Sequence, residues 1–235
     1  MDRNQYDICL EVLRRLDNSG ILPKIILIGS WCLPLYRDFY SSDDEISALR
    51  TRDIDFLVSR NTKFTNKVDL PALLENLGFI LDHSFPEGYV KLIHPELIIE
   101  FLVPEIGRGS SKPYPLPELG INAQRLRFLG LLERDTIIVD FSGLKVTLPH
   151  PVNFGLHKII VSSRRTNADK TAKDVQAGLE VLRLCVDNMD APRIIELFGN
   201  ISQKQRKAVI QSLDSNEAED ILKIVNPLPF MKSGQ

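Results

Sequence analysis

Apolar positions follow two rhythms along this chain, and the change from one to the other divides it near Pro149. Before that point they come in short runs or in alternation, as strands require. Lys24-Ile25-Ile26-Leu27-Ile28 is an apolar, β-branched run that predicts a buried strand. Gly29-Ser30 follows at once, and Trp31-Cys32-Leu33-Pro34-Leu35-Tyr36 then has helical character. Upstream, Ile8, Val12, Leu13 and Leu16 share one face of a helix that Asp17-Asn18-Ser19-Gly20 closes. Thr51 to Val58 predicts a second strand, and residues 38–50, with the polar run Ser41-Ser42-Asp43-Asp44-Glu45, predict a solvated loop before it. Asp69 stands as N-cap of a helix with Pro71 in its first turn, Leu73, Leu74 and Leu77 as its stripe and Gly78 as its stop. Phe79-Ile80-Leu81, Tyr89 to Ile93 and Leu97 to Val103 predict further strands.

Pro104 to Pro117, rich in Pro, Gly and Ser, predicts an exposed connection without regular structure, and Gln124 to Leu132 predicts a helix. Thr136 to Phe141 and Lys145 to Leu148 flank Ser142-Gly143, the signature of a hairpin. Beyond Pro149 the spacing becomes helical throughout. Pro151 opens a helix through Val161, a second carries Val175, Leu179, Leu182 and Val186 on one face, and further amphipathic segments lie around 193–198, 205–213 and 218–225. The expected organisation is an α/β (α+β) unit over residues 1–149, a mixed sheet with flanking helices, followed by an all-helical unit over 150–235.

Composition narrows the partners. With 235 residues the chain is long enough for a sizeable core, and its net charge of −2 gives no global field to draw nucleic acid or an anionic membrane. No apolar run reaches membrane-spanning length, and Met1-Asp2-Arg3-Asn4-Gln5 lacks a signal-peptide pattern. Cys9, Cys32 and Cys185 are few and scattered, which fits reduced core thiols in a cytoplasmic protein.

The chemistry concentrates in a few positions. In an extended strand Asp53 and Asp55 point to one side while Ile54 and Phe56 point to the other. Two neighbouring carboxylates repel, and burial makes that worse. A divalent cation removes the conflict, and Mg²⁺ prefers such oxygen ligands together with substrate phosphates. Glu100 is a charge among Ile98, Ile99, Phe101 and Leu102. Taken alone it is a solvent-facing residue; beside Asp53 and Asp55 it is a third ligand. The helical part clusters cations: Lys158, Arg164, Arg165, Lys170 and Lys173, followed by Asp174. Lys158 in isolation is a snorkelling surface lysine, and Arg164 and Arg165 complement a helix C-terminus. As a group they form a local anion site. Arg108 or Lys112 would come from a substrate-side lid if residues 104–117 had a function. No Gly-x-Gly-x-x-Gly follows a strand and no Walker Gly-Lys-Ser/Thr is present, so dinucleotide and P-loop readings lack their phosphate-binding loops.

The order strand, Gly29-Ser30, helix, Asp53-x-Asp55 and Glu100 on a later strand resembles the DNA polymerase β-like nucleotidyltransferase superfamily. The resemblance runs on through Pro149-His150-Pro151, Phe154, Leu156-His157-Lys158, Arg164-Arg165 and Lys170 with Lys173-Asp174. Over about Ile21 to Leu184 the chain is similar to a bacterial group of stand-alone proteins of this fold. The interval from Ser30 to Asp53 is longer than in compact members, so residues 38–50 stand as an insertion. The resemblance implies binding of a nucleoside triphosphate, ATP or another, with two Mg²⁺ (or Mn²⁺) ions on Asp53, Asp55 and Glu100. It implies that Gly29, Ser30, Lys158, Arg164 and Lys173 meet the nucleotide, and that a nucleoside monophosphate passes to an acceptor hydroxyl. A small molecule, a protein or an RNA 3′ end suits that chemistry. The competing expectation is a catalytically silent nucleotide-binding or antitoxin-like partner protein.

Overall fold

The computed structural model describes residues 3–42, 51–107, 109 and 112–226. Helix α1 (Arg3–Asn18) buries Val12, Leu13 and Leu16 of the predicted face together with Cys9, while Ile8 is half-buried. Strand β1 (Ile26–Ile28) leads into a single 3₁₀ turn at Gly29–Trp31 and then helix α2 (Cys32–Tyr40). Residues 38–40 therefore finish a helix where a loop was expected, because Leu35 and Tyr36 are buried and carry the helical pattern one turn further. Residues 43–50 of that expected loop lie outside the described residues. Strand β2 (Asp53–Leu57) is followed by α3 (Leu70–Glu75), whose first turn is capped by Ala72 N–H donating to Asp69 Oδ1 at 3.1 Å. Strands β3 (Ile80–His83), β4 (Val90–Ile93) and β5 (Ile98–Pro104) follow in the expected places.

Two segments differ from expectation. Within 104–117, Tyr114–Leu116 forms strand β6, paired antiparallel with β7 (Ile121–Leu126). Pro115 is tolerated because β6 pairs on one side only, so its missing N–H interrupts no second ladder. The expected helix over 124–132 is absent. Gln124 and Arg125 extend β7 against Leu102 and Val103 of β5, and only a 3₁₀ turn at Leu129–Leu131 follows. Helix-favouring side chains yield here to a sheet edge that needs a partner.

The sheet order is β1-β2-β5-β4-β3, with β7 alongside the end of β5 and β6 outside β7. Strand β5 pairs with β2 in parallel, with β4 antiparallel along its first half and with β7 in parallel at its end. β8 (Thr136–Phe141) and β9 (Leu144–Pro149) form the expected hairpin. Its turn residues Ser142 and Gly143 both have positive φ, +53° and +85°, as a type I′ turn requires.

The described residues form two compact units, 3–39 with 51–149 and 40–42 with 150–226. The second holds α4 (Pro151–Ser162), α5 (Ala168–Asp187), α6 (Ala191–Asn200), α7 (Gln203–Ser215) and α8 (Glu219–Val225). The backbones of α4 and α5 approach closely where Gly155 faces Gly178. Cys9, Cys32 and Cys185 are buried free thiols. Among the described residues no helix is long and apolar enough to cross a membrane.

Candidate active site

The parallel register of β2 and β5 sets Asp53 opposite Ile98 and Asp55 opposite Glu100. Registered partners project to the same face, so all three carboxylates share one side of the sheet. The other side takes Ile54, Phe56, Ile99 and Phe101 into the core. Asp53 is exposed, and Asp55 and Glu100 are half-buried. The same cross-strand row continues to Ile28 on β1 and to Lys91 on β4.

Gly29 comes very close to this row. Its φ is +78°, and a Cβ built on it would lie 2.6 Å from Asp55 Oδ2. Only glycine permits both the left-handed backbone and that approach. The turn that starts α2 therefore lies directly over the Asp55 carboxylate, and Ser30 is its next residue.

Lys91 is the member of the site that motif reading passed over. Its Nζ donates to Glu100 Oε1, and the two side chains are 29% and 15% exposed. Burial alone would depress the Lys91 ammonium, but the hydrogen bond and charge of Glu100, with Tyr89 and Asp53, hold it above its ordinary value. Among the described residues no three acidic, His or Cys side chains converge closely enough to hold a metal ion. The donor chemistry still fits a hard divalent cation: the carboxylates offer oxygen ligands, they outnumber their lysine, and Gly29 leaves room beside Asp55. Lys91 occupies only Oε1 of Glu100, which leaves Oε2 as the oxygen Glu100 would offer such an ion.

In the helical unit the cations divide. Lys158 Nζ donates to Asp174 Oδ1 at 2.7 Å, and Arg165 Nε donates to Oδ2 at 2.9 Å. Burial would raise the Asp174 carboxyl, but Lys158 and Arg165 together hold it below the usual carboxylate range. Lys158 is thus tied to a buried acid as well as lying on an apolar helix. Arg164, Lys170 and Lys173 are exposed. His157, beside Lys158, has its Nε2 enclosed without a hydrogen-bond partner, and burial pushes its pKa down to about 3.

The 104–117 connection contributes Lys112, which is exposed and whose carbonyl accepts from Arg125 Nε at 3.1 Å; Arg108 lies outside the described residues. Beyond the C-terminal end of β2, a cavity of about 640 Å³ is lined by Ser59, Arg60, Asn61, Ile106, Tyr114 and Glu133. Its lining includes none of Asp53, Asp55 and Glu100.

A mixed sheet bearing Gly-Ser above an Asp-x-Asp strand, with a glutamate in register on the parallel neighbour, defines a nucleotidyltransferase fold. The chain belongs to a nucleotidyltransferase family, whose model, described simply as "Nucleotidyltransferase", matches residues 8–196. In fold it is similar to an antigenic nucleotidyltransferase-like protein from Paracoccidioides brasiliensis, at a TM-score of 0.54 and 15% identity over 95% of this chain and 94% of that one. It also matches the antibiotic-resistance factor ANT(2'')-Ia, at a TM-score of 0.47 and 11% identity over 93% of this chain and 96% of that one. No curated protein matches the sequence.

Proposed function

We propose that this nucleotidyltransferase moves a nucleoside monophosphate from a nucleoside triphosphate to an acceptor hydroxyl at Asp53, Asp55 and Glu100. The reading rests on one observation, the register that puts Asp55 opposite Glu100 on the face covered by Gly29. Two Mg²⁺ ions, or Mn²⁺ in their place, when bound offset the charge that develops on the α-phosphate and the departing pyrophosphate. Asp53 and Asp55 are the residues for both ions, with Glu100 completing the set. The acceptor oxygen bonds to the α-phosphorus, the bond from that phosphorus to pyrophosphate breaks, and the acceptor's proton passes to Glu100. Gly29 admits the phosphates to the backbone, and Ser30 offers a hydroxyl and an N–H. Lys158, Arg164 and Lys173 supply cations to the phosphates, and Arg165 keeps Asp174 paired if Lys158 turns to the nucleotide.

The test incubates the purified chain with each α-labelled triphosphate, Mg²⁺ and three acceptor classes: aminoglycoside-type alcohols, proteins and RNA 3′ ends. Label transfer with pyrophosphate release is expected for one of them and is abolished by Asp55→Asn, while Lys158→Ala mainly weakens nucleotide binding. Equal turnover in wild type and Asp55→Asn overturns the site. Saturable, Asp55-dependent nucleotide binding without turnover on any acceptor supports the silent-partner reading instead.

A further inference from the structure

The cross-strand row that carries Asp55 and Glu100 ends in a cation belonging to the protein itself. Lys91 stands opposite Glu100 on β4 and donates to its carboxylate. Asp53 is among the charges that favour the Lys91 ammonium, after Glu100 and Tyr89. The Lys91 and Glu100 side chains are largely withdrawn from water, which screens the pair far less than a surface ion pair. With Glu100 held this way, the acidic side chains do not converge into a three-ligand site among the described residues.

We infer that Lys91 is an internal counter-cation that partly neutralises the acidic row in the metal-free protein and opposes the binding of a divalent ion there by its charge. The inference rests on the proposed function, since it concerns the same three carboxylates. Two consequences follow from the geometry. Lys91 keeps the acidic row from repelling itself apart while no ion is bound, and its positive charge weakens ion binding there. The Tyr89 ring, 5.9 Å from the same Nζ, adds a cation–π contact that helps hold the ammonium beside Glu100. Lys91 is thus a positioning residue that sets metal affinity, and it is not part of the reaction itself.

The test reads free Mn²⁺ by electron paramagnetic resonance in titrations of the full chain, without nucleotide. Lys91→Met and Lys91→Gln are expected to bind Mn²⁺ about tenfold more tightly than wild type, the scale set by removing a unit charge from a partly buried site. Lys91→Arg, which keeps the charge, is expected to stay at wild-type affinity. Lys91→Gln retains a hydrogen-bond donor for Glu100 and is the variant to read if Lys91→Met fails to fold. Unchanged or weaker Mn²⁺ binding in folded Lys91→Gln overturns the inference. Asp55→Asn separates this failure from that of the functional reading. If Asp55→Asn abolishes Mn²⁺ binding while the Lys91 variants match wild type, the role of Lys91 alone falls. If Mn²⁺ binding survives Asp55→Asn, the acidic row is not the metal site and both fall.

Discussion

The carboxylate of Asp55 sits where a side chain on Gly29 would begin, 2.6 Å from a Cβ built there. The turn and the acid are thus mutually dependent. Gly29→Ala is expected to lower stability by about 1–2 kcal/mol for the positive φ alone, and to displace Asp55 in addition, so that turnover falls more than stability. Urea denaturation and pyrophosphate release measure the two effects. Combining Gly29→Ala with Asp55→Ala removes the clash, so the double variant is expected to lose less stability than the two single losses summed. Strict additivity would place Asp55 away from the turn.

Asp174 is shared by Lys158 and Arg165, and it is the most buried of the three. Asp174→Asn leaves Lys158 charged, partly buried and unpaired, and is expected to cost about 3 kcal/mol. Lys158→Met leaves Arg165 on Asp174, so no buried charge is orphaned, and is expected to cost less, about 2 kcal/mol, while weakening triphosphate binding. Thermal melts beside nucleotide titrations check the contrast. A larger stability loss from Lys158→Met than from Asp174→Asn would show that the lysine is there for structure.

The shared face of Asp53, Asp55 and Glu100 was legible because period-two alternation fixes faces, and the parallel register sets Asp55 opposite Glu100, but alternation does not bring the three carboxylates together and they do not converge among the described residues. Lys91 was equally legible but went unread. It and Glu100 lie symmetrically about the His94-to-Leu97 turn, so any tight hairpin there pairs them, as the structure does. The partnership of Lys158 with Asp174 was harder, since it depends on how two helices cross. Gln124 and Arg125 misled because helix propensity is a local quantity, whereas their strand exists only through Leu102 and Val103 far back in the chain. Tyr114 to Leu116 misled for the related reason that a proline-rich run is compatible with an edge strand.

The crossing of α4 and α5 that joins Lys158 to Asp174 depends on two glycines. A Cβ on Gly155 would lie 2.7 Å from Leu182 Cγ, and one on Gly178 would lie 3.0 Å from the Gly155 carbonyl oxygen. Gly178→Ala meets rigid backbone and is expected to cost about 1–3 kcal/mol despite its better helix propensity. Gly155→Ala presses on the Cγ of fully buried Leu182 and has the Gly178 carbonyl oxygen 3.2 Å away, so the larger loss is expected there. Denaturant midpoints order the two, and a stabilised Gly178→Ala would mean that the helices are further apart than described.

Acid sensitivity should originate beside the same ion pair. Burial lowers the His157 pKa from its ordinary 6.5 to about 3, helped by the charges of Lys158 and Arg165 and opposed by Asp174. Between those values the unfolded chain binds a proton that the folded chain refuses, so the stability contributed by neutral His157 is complete above pH 6.5 and is lost as pH falls toward 3. From pH 6.5 to pH 5 the loss attributable to this one group is about 2 kcal/mol. The depressed carboxyl of Asp174 adds a loss of the same sign only lower down, as pH falls below its ordinary 3.8. The windows differ, so His157→Gln is expected to flatten the dependence between pH 6.5 and 5 while leaving the drop below pH 4 in place. Urea unfolding at pH 7, 5 and 3.5 in both proteins reads this directly. Equal slopes between pH 7 and 5 would mean that the imidazole reaches solvent and takes up its proton in the folded protein.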